Sequence, residues 1–551
     1  MIRFAVFDDT GPAREWPLRH AHLICKEGYA VPATIHFEDG MIVCPRKSGD
    51  AVALALQVDA GATGLLTLQT CLLPPRAEPY LLDLELARHR IMMILNKLED
   101  WGLTDLPPTD PVMQGFEEAR DLFTQALIAG TSGHFEHQQS RLAHRALELA
   151  IEASEKLALE AAERDLNRRF TVVGRPVSEE DETAFGETME QPPLPAALGC
   201  TVHVDQFSEP LQSIVARNFE FIHCPMRWRD IEREEGKYRF NLTDRWIEWA
   251  IRTGRKPVAA GPILDFSARS IPRWLYIWQH DYDSFREFAY EHVKRVVTRY
   301  RKTVSRWTII SGVNINQHFS FSLEQMLDLT RLAALLTRKL QPGVEVCVEI
   351  DQPFGEHGTH QKGAVPSMFF AEMVRETGIT VDAFALRLQM GQSEMGRSAR
   401  DLAQLSDIID QYAALGLPLH ITALGAPHAP IPGKRGEEAG DDESFIEGGF
   451  WHQPWNQGVQ ARWMTEAMSI ALSKFSVASV CWQALFDTTA NPEMPHGGLI
   501  TADGRAKASL RRLAAVSGAY FKQQSPTTLP PFEEGAAAPA PAPAAEEPAG
   551  E

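Results

Sequence analysis

Long apolar runs are missing from this chain. Nowhere do about 18 consecutive apolar residues occur, which argues against a membrane-spanning helix. The opening residues, MIRFAVFDDTGPAREW, carry one early Arg and a short β-like run, with neither an apolar signal core nor a small-residue cleavage site. Cysteine is sparse: seven residues, at 25, 44, 71, 200, 224, 347 and 481, odd in number, mostly within apolar runs and without CxxC spacing. That pattern fits reduced, buried thiols in a cytoplasmic protein rather than a disulfide framework or a zinc site. Excess positive charge is lacking too. With 54 Lys and Arg against 73 Asp and Glu the net charge is −19, so neither nucleic acid nor an anionic membrane is an expected partner. Three motifs are also absent: a GxxxxGK phosphate loop, a G-x-S-x-G elbow and an HExxH helix, and no cofactor is expected.

What is present is ordinary globular material, 44% hydrophobic and 23% charged, long enough for several domains. Residues 1–78 read as a small β-sandwich-like domain with short strands at 2–7, 21–25, 31–37, 41–44, 52–58 and 65–73. Asp39-Gly40 forms a hairpin turn, and Val52, Leu54, Leu56 and Val58 alternate at period two. Its loops show no cluster of Trp or Tyr. A packing or dimerisation role is therefore at least as well supported as carbohydrate binding. From 79 to 170 the period becomes helical, with helices over 81–101, 110–129 and 136–169. The last carries an apolar stripe, Leu142, Ala146, Leu149, Ala153 and Leu157, read as core or as a partner-helix seam. A homo-oligomer through the β domain and these helices stays open. His134 and His137 at i, i+3 lack a third ligand nearby, so solvated histidines are the reading. Residues 171–192 are acidic and end in prolines, a linker. Past 522 the chain collapses to Pro, Ala and Glu, and 523–551 read as a disordered tail.

Between these, 193–522 alternates strands and amphipathic helices. Strands fall at 198–204, 220–225, 256–264, 306–313, 344–350, 383–390, 419–424 and 479–486, with helices such as 242–253, 282–302, 323–340, 402–415 and 459–475 between them. Eight such units make an α/β fold, one closed (β/α)8 TIM barrel, whose chemistry sits at the carboxyl ends of the strands.

Two strand ends carry a resemblance. Trp307-Thr308-Ile309-Ile310-Ser311-Gly312 resembles the W-D-V-V-N-E strand of family 10 glycoside hydrolases, the xylanase-type barrels, and Ile421-Thr422-Ala423-Leu424-Gly425 resembles their I-T-E-L-D strand. Met226-Arg227-Trp228 looks like the family's M-K-W, and Glu235-Gly236-Lys237-Tyr238-Arg239-Phe240 like its E-G-x-Y-x-F. The segment from Gly498 to Ala508 resembles G-L-L-F-D-x-D-G-x-P-K-P-A. The likeness spans about 195–520. By this resemblance Gly312 stands where the family has its acid/base Glu and Ala423 where it has its nucleophile. Other departures cluster where sugar would sit. His223-Cys224 replaces an E-N pair, Arg387 and Gln389 replace a Gln and a His, and only Trp482 looks retained as a sugar platform.

A retaining glycosidase needs two carboxyl groups about 5 Å apart. A hydrogen and a methyl group supply neither. The expectation is a family 10-like barrel inactive as a xylanase, binding a carbohydrate or other ligand or serving as an interaction platform. Two alternatives stay open. One is an active O-glycosyl hydrolase using rim acids among Asp265, Glu349, Asp351 and Asp487; the other is a structural or assembly protein acting through its N-terminal region. His223 beside Cys224 reads as a buried thiol next to a core imidazole rather than a nucleophile pair. Candidate ligand contacts are His223, Arg227, Asn314, Arg387, Gln389 and Trp482, joined by Trp451 and Trp455 at the end of the long loop after the seventh strand, which either stack on sugar rings or pin the loop's return to the barrel; the loop's acidic run 437–447 reads as solvated.

Overall fold

The computed structural model describes residues 1–8, 10–46, 48–130, 137–172, 197–267, 270–429, 448–488 and 494–521. His134, residues 173–192 of the expected linker, the run 437–447 and the expected tail 523–551 lie outside the described residues.

Eight parallel strands close into a barrel in chain order: Ala197–Thr201, Phe221–Cys224, Val258–Ala260, Arg306–Ser311, Glu345–Ile350, Ala383–Gln389, Leu419–Gly425 and Val477–Trp482. The eighth strand closes on the first through Ala197↔Ser479 and Gly199↔Cys481. The third strand is split. Its first half pairs Ala259 with Arg306; after the cis Gly261–Pro262 bond the chain returns as Leu264–Asp265, pairing Asp265 with Ser311. The sixth and seventh strands are buried at every residue, as parallel strands covered on both faces must be. This is the (β/α)8 fold expected from the alternation of strands and helices.

The helices between the strands follow their apolar stripes and caps. Leu323–Leu340 opens on a capping box in which Ser322 and Gln325 satisfy each other's backbone amides. Leu402–Ala413 starts under Asp401, whose carboxylate accepts from the amides of Ala403 and Gln404. Among the described residues four barrel-region α-helices were not anticipated: Glu209–Asn218, Ser367–Glu376, the single turn Trp228–Ile231 and Ala508–Phe521. The first two have only 10 residues each, too few turns for the period to stand out from composition.

The N-terminal region is all-β, followed by three helices. One four-stranded sheet orders Tyr80–Leu81, Ile2–Ala5, Met41–Cys44 and His36–Glu38. A five-stranded sheet contains Gly64–Gln69, Ala53–Asp59, His22–Ile24 and Ala30–Val31, and its remaining edge strand is Phe450–Trp451, delivered by the barrel. Phe450 pairs with Leu65 and Trp451 with Gly64, antiparallel. The seam needs its glycines. A Cβ on Gly64 would lie 2.4 Å from the Phe450 carbonyl oxygen and one on Gly449 2.4 Å from that of Leu65, and both residues have positive φ.

The helices Leu82–Asp100, Pro111–Ala129 and His137–Val172 pack on one another. The stripe of the third is buried at Ala146, Leu149, Ala153 and Leu157, so within this chain it is core. Three buried contacts fasten them to the barrel. Arg90 and Asp401 form a bidentate ion pair at 2.9 and 2.6 Å. Glu155 accepts from the Leu402 amide, the Trp451 indole at 2.6 Å and His452 Nε2. Arg169 donates to the carbonyls of Leu472, Lys474 and Val477 at the end of the helix Gln457–Ser473. One continuous apolar cluster runs from Phe4 and Leu54 of the N-terminal sheets to Trp307 and Ile421 of the barrel.

Candidate functional site

At the carboxyl end of the barrel lies a cavity of about 280 Å³. Its wall takes residues from the ends of most strands, among them His203, His223, Arg227, Asp265, Arg387, Ala423 and Gln483. Parallel strands aim their carboxyl ends at one rim, which is why residues far apart in sequence meet here.

The floor of this cavity is occupied by an ion pair. Glu349, at the end of the fifth strand, accepts from Arg387 Nη2 at 2.8 Å and Nε at 3.2 Å, both through Oε1. Ser311 donates to the same oxygen at 2.7 Å, and the Thr422 hydroxyl donates to Oε2. The pair is buried, with the Glu349 side chain 1% exposed. Ser311 and Thr422 immediately precede Gly312 and Ala423. The fourth and seventh strands thus each turn a hydroxyl toward Glu349. Gly312 sits in the left-handed region at φ 67°, and a Cβ there would lie 3.4 Å from the backbone of Phe266 and Ser267.

The other rim acids have structural partners as well. Asp265 lines the cavity and accepts from the Ser267 amide at 2.9 Å and the Ser270 hydroxyl at 2.8 Å. Asp351 is held by Arg397 at 2.9 and 3.1 Å and lies 3.9 Å from Arg387 Nε, so one guanidinium bridges Glu349 and Asp351. Asp487 accepts from the Gly498 amide at 2.8 Å and the buried Lys507 ammonium at 2.7 Å. Arg397, Lys507, Ser311 and Thr422 were not singled out from sequence. Only the fold, through strand register for Ser311 and Thr422 and through loop placement for Arg397 and Lys507, shows that they converge on acids 20 to 70 residues or more away.

Of the anticipated ligand contacts, His223, Arg227 and Arg387 line the cavity. Asn314 does not. It is fully buried, and its amide donates to Val365 O at 3.2 Å and Ser367 Oγ at 3.3 Å, fixing the turn after the fourth strand. Gln389 is buried and donates to Gln483, placing it behind a lining residue.

Burial corrects the reading of Trp482 as a stacking platform, and for Trp451 and Trp455 it favours pinning of the loop's return over stacking. Trp482 is fully buried, and its indole N–H donates to Gly497 O. Trp451 is spent on Glu155 in the seam, and Trp455 donates to Gly449 O. No Trp, Tyr or Phe is among the described residues lining the mouth cavity. Among the described residues, ring-face recognition of a sugar therefore has no platform there.

Among the described residues, one group of three metal-type donors lies within 4.8 Å of one another: Glu345, Cys347 and His420, at the opposite end of the barrel. His420 Nε2 meets Glu345 at 2.8 Å and its Nδ1 accepts from Arg306 at 2.8 Å, while burial pushes the Cys347 thiol well up. An arginine inside the donor set and a thiol held protonated do not suit a cation.

Burial, with the charges of Arg306 and Arg387 adding to it, lowers the His223 pKa to about 3; burial lowers that of His203 to about 4. Both are neutral in the fold and titrate near 6.5 when unfolded, so the unfolded chain binds more protons as pH falls below 6.5. Stability should then drop by about 1.4 kcal/mol per pH unit per histidine between 6.5 and the folded values. His223→Asn should remove about one proton from that slope in denaturation midpoints measured against pH. An unchanged slope would show that His223 is not the group titrating.

Residues 193–429 match the family model Glycosyl hydrolase family 10. Endo-1,4-beta-xylanase B of Neocallimastix patriciarum is 21% identical over 258 residues, covering 45% of this chain; the match spans 28% of that relative's length. Native xylanase 10B from Thermotoga maritima is similar in structure at TM-score 0.44 and 12% identity, covering 60% of this chain and 97% of that one. The family 10 structure from Paenibacillus barcinonensis is similar at TM-score 0.44 and 18% identity, covering 62% of this chain and 97% of the other. The family-model match over 193–429 thus bears out the family 10 resemblance read from the sequence, and it includes both strand motifs.

Proposed function

We propose that the barrel does not cleave xylan and instead holds a polar ligand, a carbohydrate or another small molecule, in the mouth cavity. The observation that carries this reading is the Glu349–Arg387 pair, locked by Ser311 and Thr422 between Gly312 and Ala423. A carboxylate whose two oxygens are taken up by a guanidinium and two hydroxyls has its lone pairs engaged within the barrel rather than aimed at a substrate, which makes it a weak nucleophile. Losing one positioned acid/base already forfeits about 10² to 10⁴ in rate. Gly312, with its left-handed backbone, is also a poor place for a glutamate.

The test is direct. Full-length protein incubated with xylan and xylooligosaccharides is expected to release no reducing ends above a heat-denatured control. Titration with the same oligosaccharides is expected to show saturable binding, weakened in Arg227→Ala. Turnover abolished by Asp265→Asn or Glu349→Gln would overturn this reading in favour of a relocated acid pair, since both acids belong to the mouth cavity.

A further inference from the structure

A second and larger cavity, about 670 Å³, lies where the five-stranded sheet, the helix Leu82–Asp100 and the barrel loops after the fifth and sixth strands meet. Its size and its place between two structural units are those of small-molecule sites. It is distinct from the barrel mouth, with which it shares no lining residue.

Arg400 sets its chemistry. The residue is buried at 4% exposure, its guanidinium lies over the Phe354 ring at 3.8 Å, and it lines the cavity. One side, Nη2, donates to Glu356; the other, Nη1, is buried with no protein partner. A buried guanidinium with idle N–H groups is costly unless an acceptor completes it. Two acceptors line the same cavity. His22, 3% exposed, meets the His20 carbonyl through Nδ1 at 2.7 Å; Nδ1 therefore carries the proton and Nε2 the lone pair. Burial, lowering the His22 pKa to about 4, keeps that ring neutral. Gln404 donates to Thr67 O through Nε2, while its buried Oε1 has no partner. Ala53 and Ala55, on the sheet face that carries Gln69, give the remaining wall an apolar surface.

We infer that this cavity binds a small organic acid: a carboxylate completing Arg400, an apolar body against the alanine wall, and a hydroxyl or N–H donating to His22 or Gln404. A single negative charge fits better than a phosphate dianion. Glu356 already balances part of Arg400, and the other buried cation of the cavity, Lys97, is paired with Asp407 at 2.7 Å.

The inference is tested on the full chain by calorimetric titration and thermal shift with three matched probes: 4-hydroxybenzoate, benzoate without the donor, and methyl 4-hydroxybenzoate without the charge. Expected are one site per chain for 4-hydroxybenzoate, weaker binding of benzoate, and a loss of about tenfold or more for the ester, the worth of one charge-assisted hydrogen bond. Arg400→Gln should weaken the acid by a similar factor and leave the ester unchanged. Should Arg400→Gln fail to fold, Ala55→Leu decides, because its added side chain points into the cavity and should abolish binding of all three probes. Equal binding of acid and ester, acid binding unchanged in Ala55→Leu, or no binding of 4-hydroxybenzoate at millimolar concentration each overturns it. None of these outcomes bears on hydrolysis or on the mouth cavity.

Discussion

Arg387→Met is expected to destabilise the protein by about 3–5 kcal/mol, the usual cost of removing one partner from a buried ion pair. The cause is not the loss of attraction alone. Glu349 would keep the hydroxyls of Ser311 and Thr422 but lose its counter-charge at a position where its side chain is only 1% exposed. Replacing both partners with apolar groups, Arg387→Met with Glu349→Leu, removes the uncompensated charge and should recover most of that loss. Urea midpoints of the two single variants and the double variant give the coupling energy. Near-additive losses would mean that the two side chains do not form the pair described. The outcome also bears on function. A double variant that folds well shows the barrel tolerating an apolar floor where a hydrolase keeps charged machinery.

The barrel was legible because its determinants are local. Runs such as AFALRLQ and LHITALG, separated by amphipathic stretches, already fix the number and direction of the strands. The candidate site was legible in part. Position on a strand end put His223, Arg227, Asp265, Glu349 and Arg387 at the mouth, and all five line it. The role of Glu349 was not legible, since nothing in the segment VEVCVEI indicates that Arg387 of the next strand and hydroxyls from the fourth and seventh will claim its carboxylate. The role of the tryptophans was not legible for a related reason. An aromatic at a strand end or loop return has the same local signature whether it faces solvent or core, and Trp451 is drawn inward by Glu155, 296 residues earlier. The edge strand Phe450–Trp451 has only two residues, so no periodicity could announce that it completes the N-terminal sheet.

Arg90→Met is expected to cost about 3–5 kcal/mol as well, and to act on the attachment of the N-terminal region rather than on the barrel. The Arg90 and Asp401 side chains are 4% and 0% exposed, and their two parallel hydrogen bonds give the pair the geometry that makes Arg–carboxylate contacts strong. Asp401 has a second task. Its carboxylate also accepts from the amides of Ala403 and Gln404, so it caps the helix Leu402–Ala413 while holding Arg90 from the helix Leu82–Asp100. Arg90→Met therefore leaves Asp401 partly satisfied by two amides and the positive end of a helix. Asp401→Ala does more damage. It strands a buried guanidinium whose remaining oxygen partner is Ser154 at 3.4 Å, and it removes a cap worth about 1 kcal/mol. The expected order of stability is wild type, then Arg90→Met, then Asp401→Ala. Hydrogen exchange should quicken first in Leu82–Asp100 and at the Phe450–Trp451 seam, while the barrel strands stay protected. Equal loss of protection in all eight barrel strands would mean that the two regions unfold as one cooperative unit and that this pair does not act as a separable fastening.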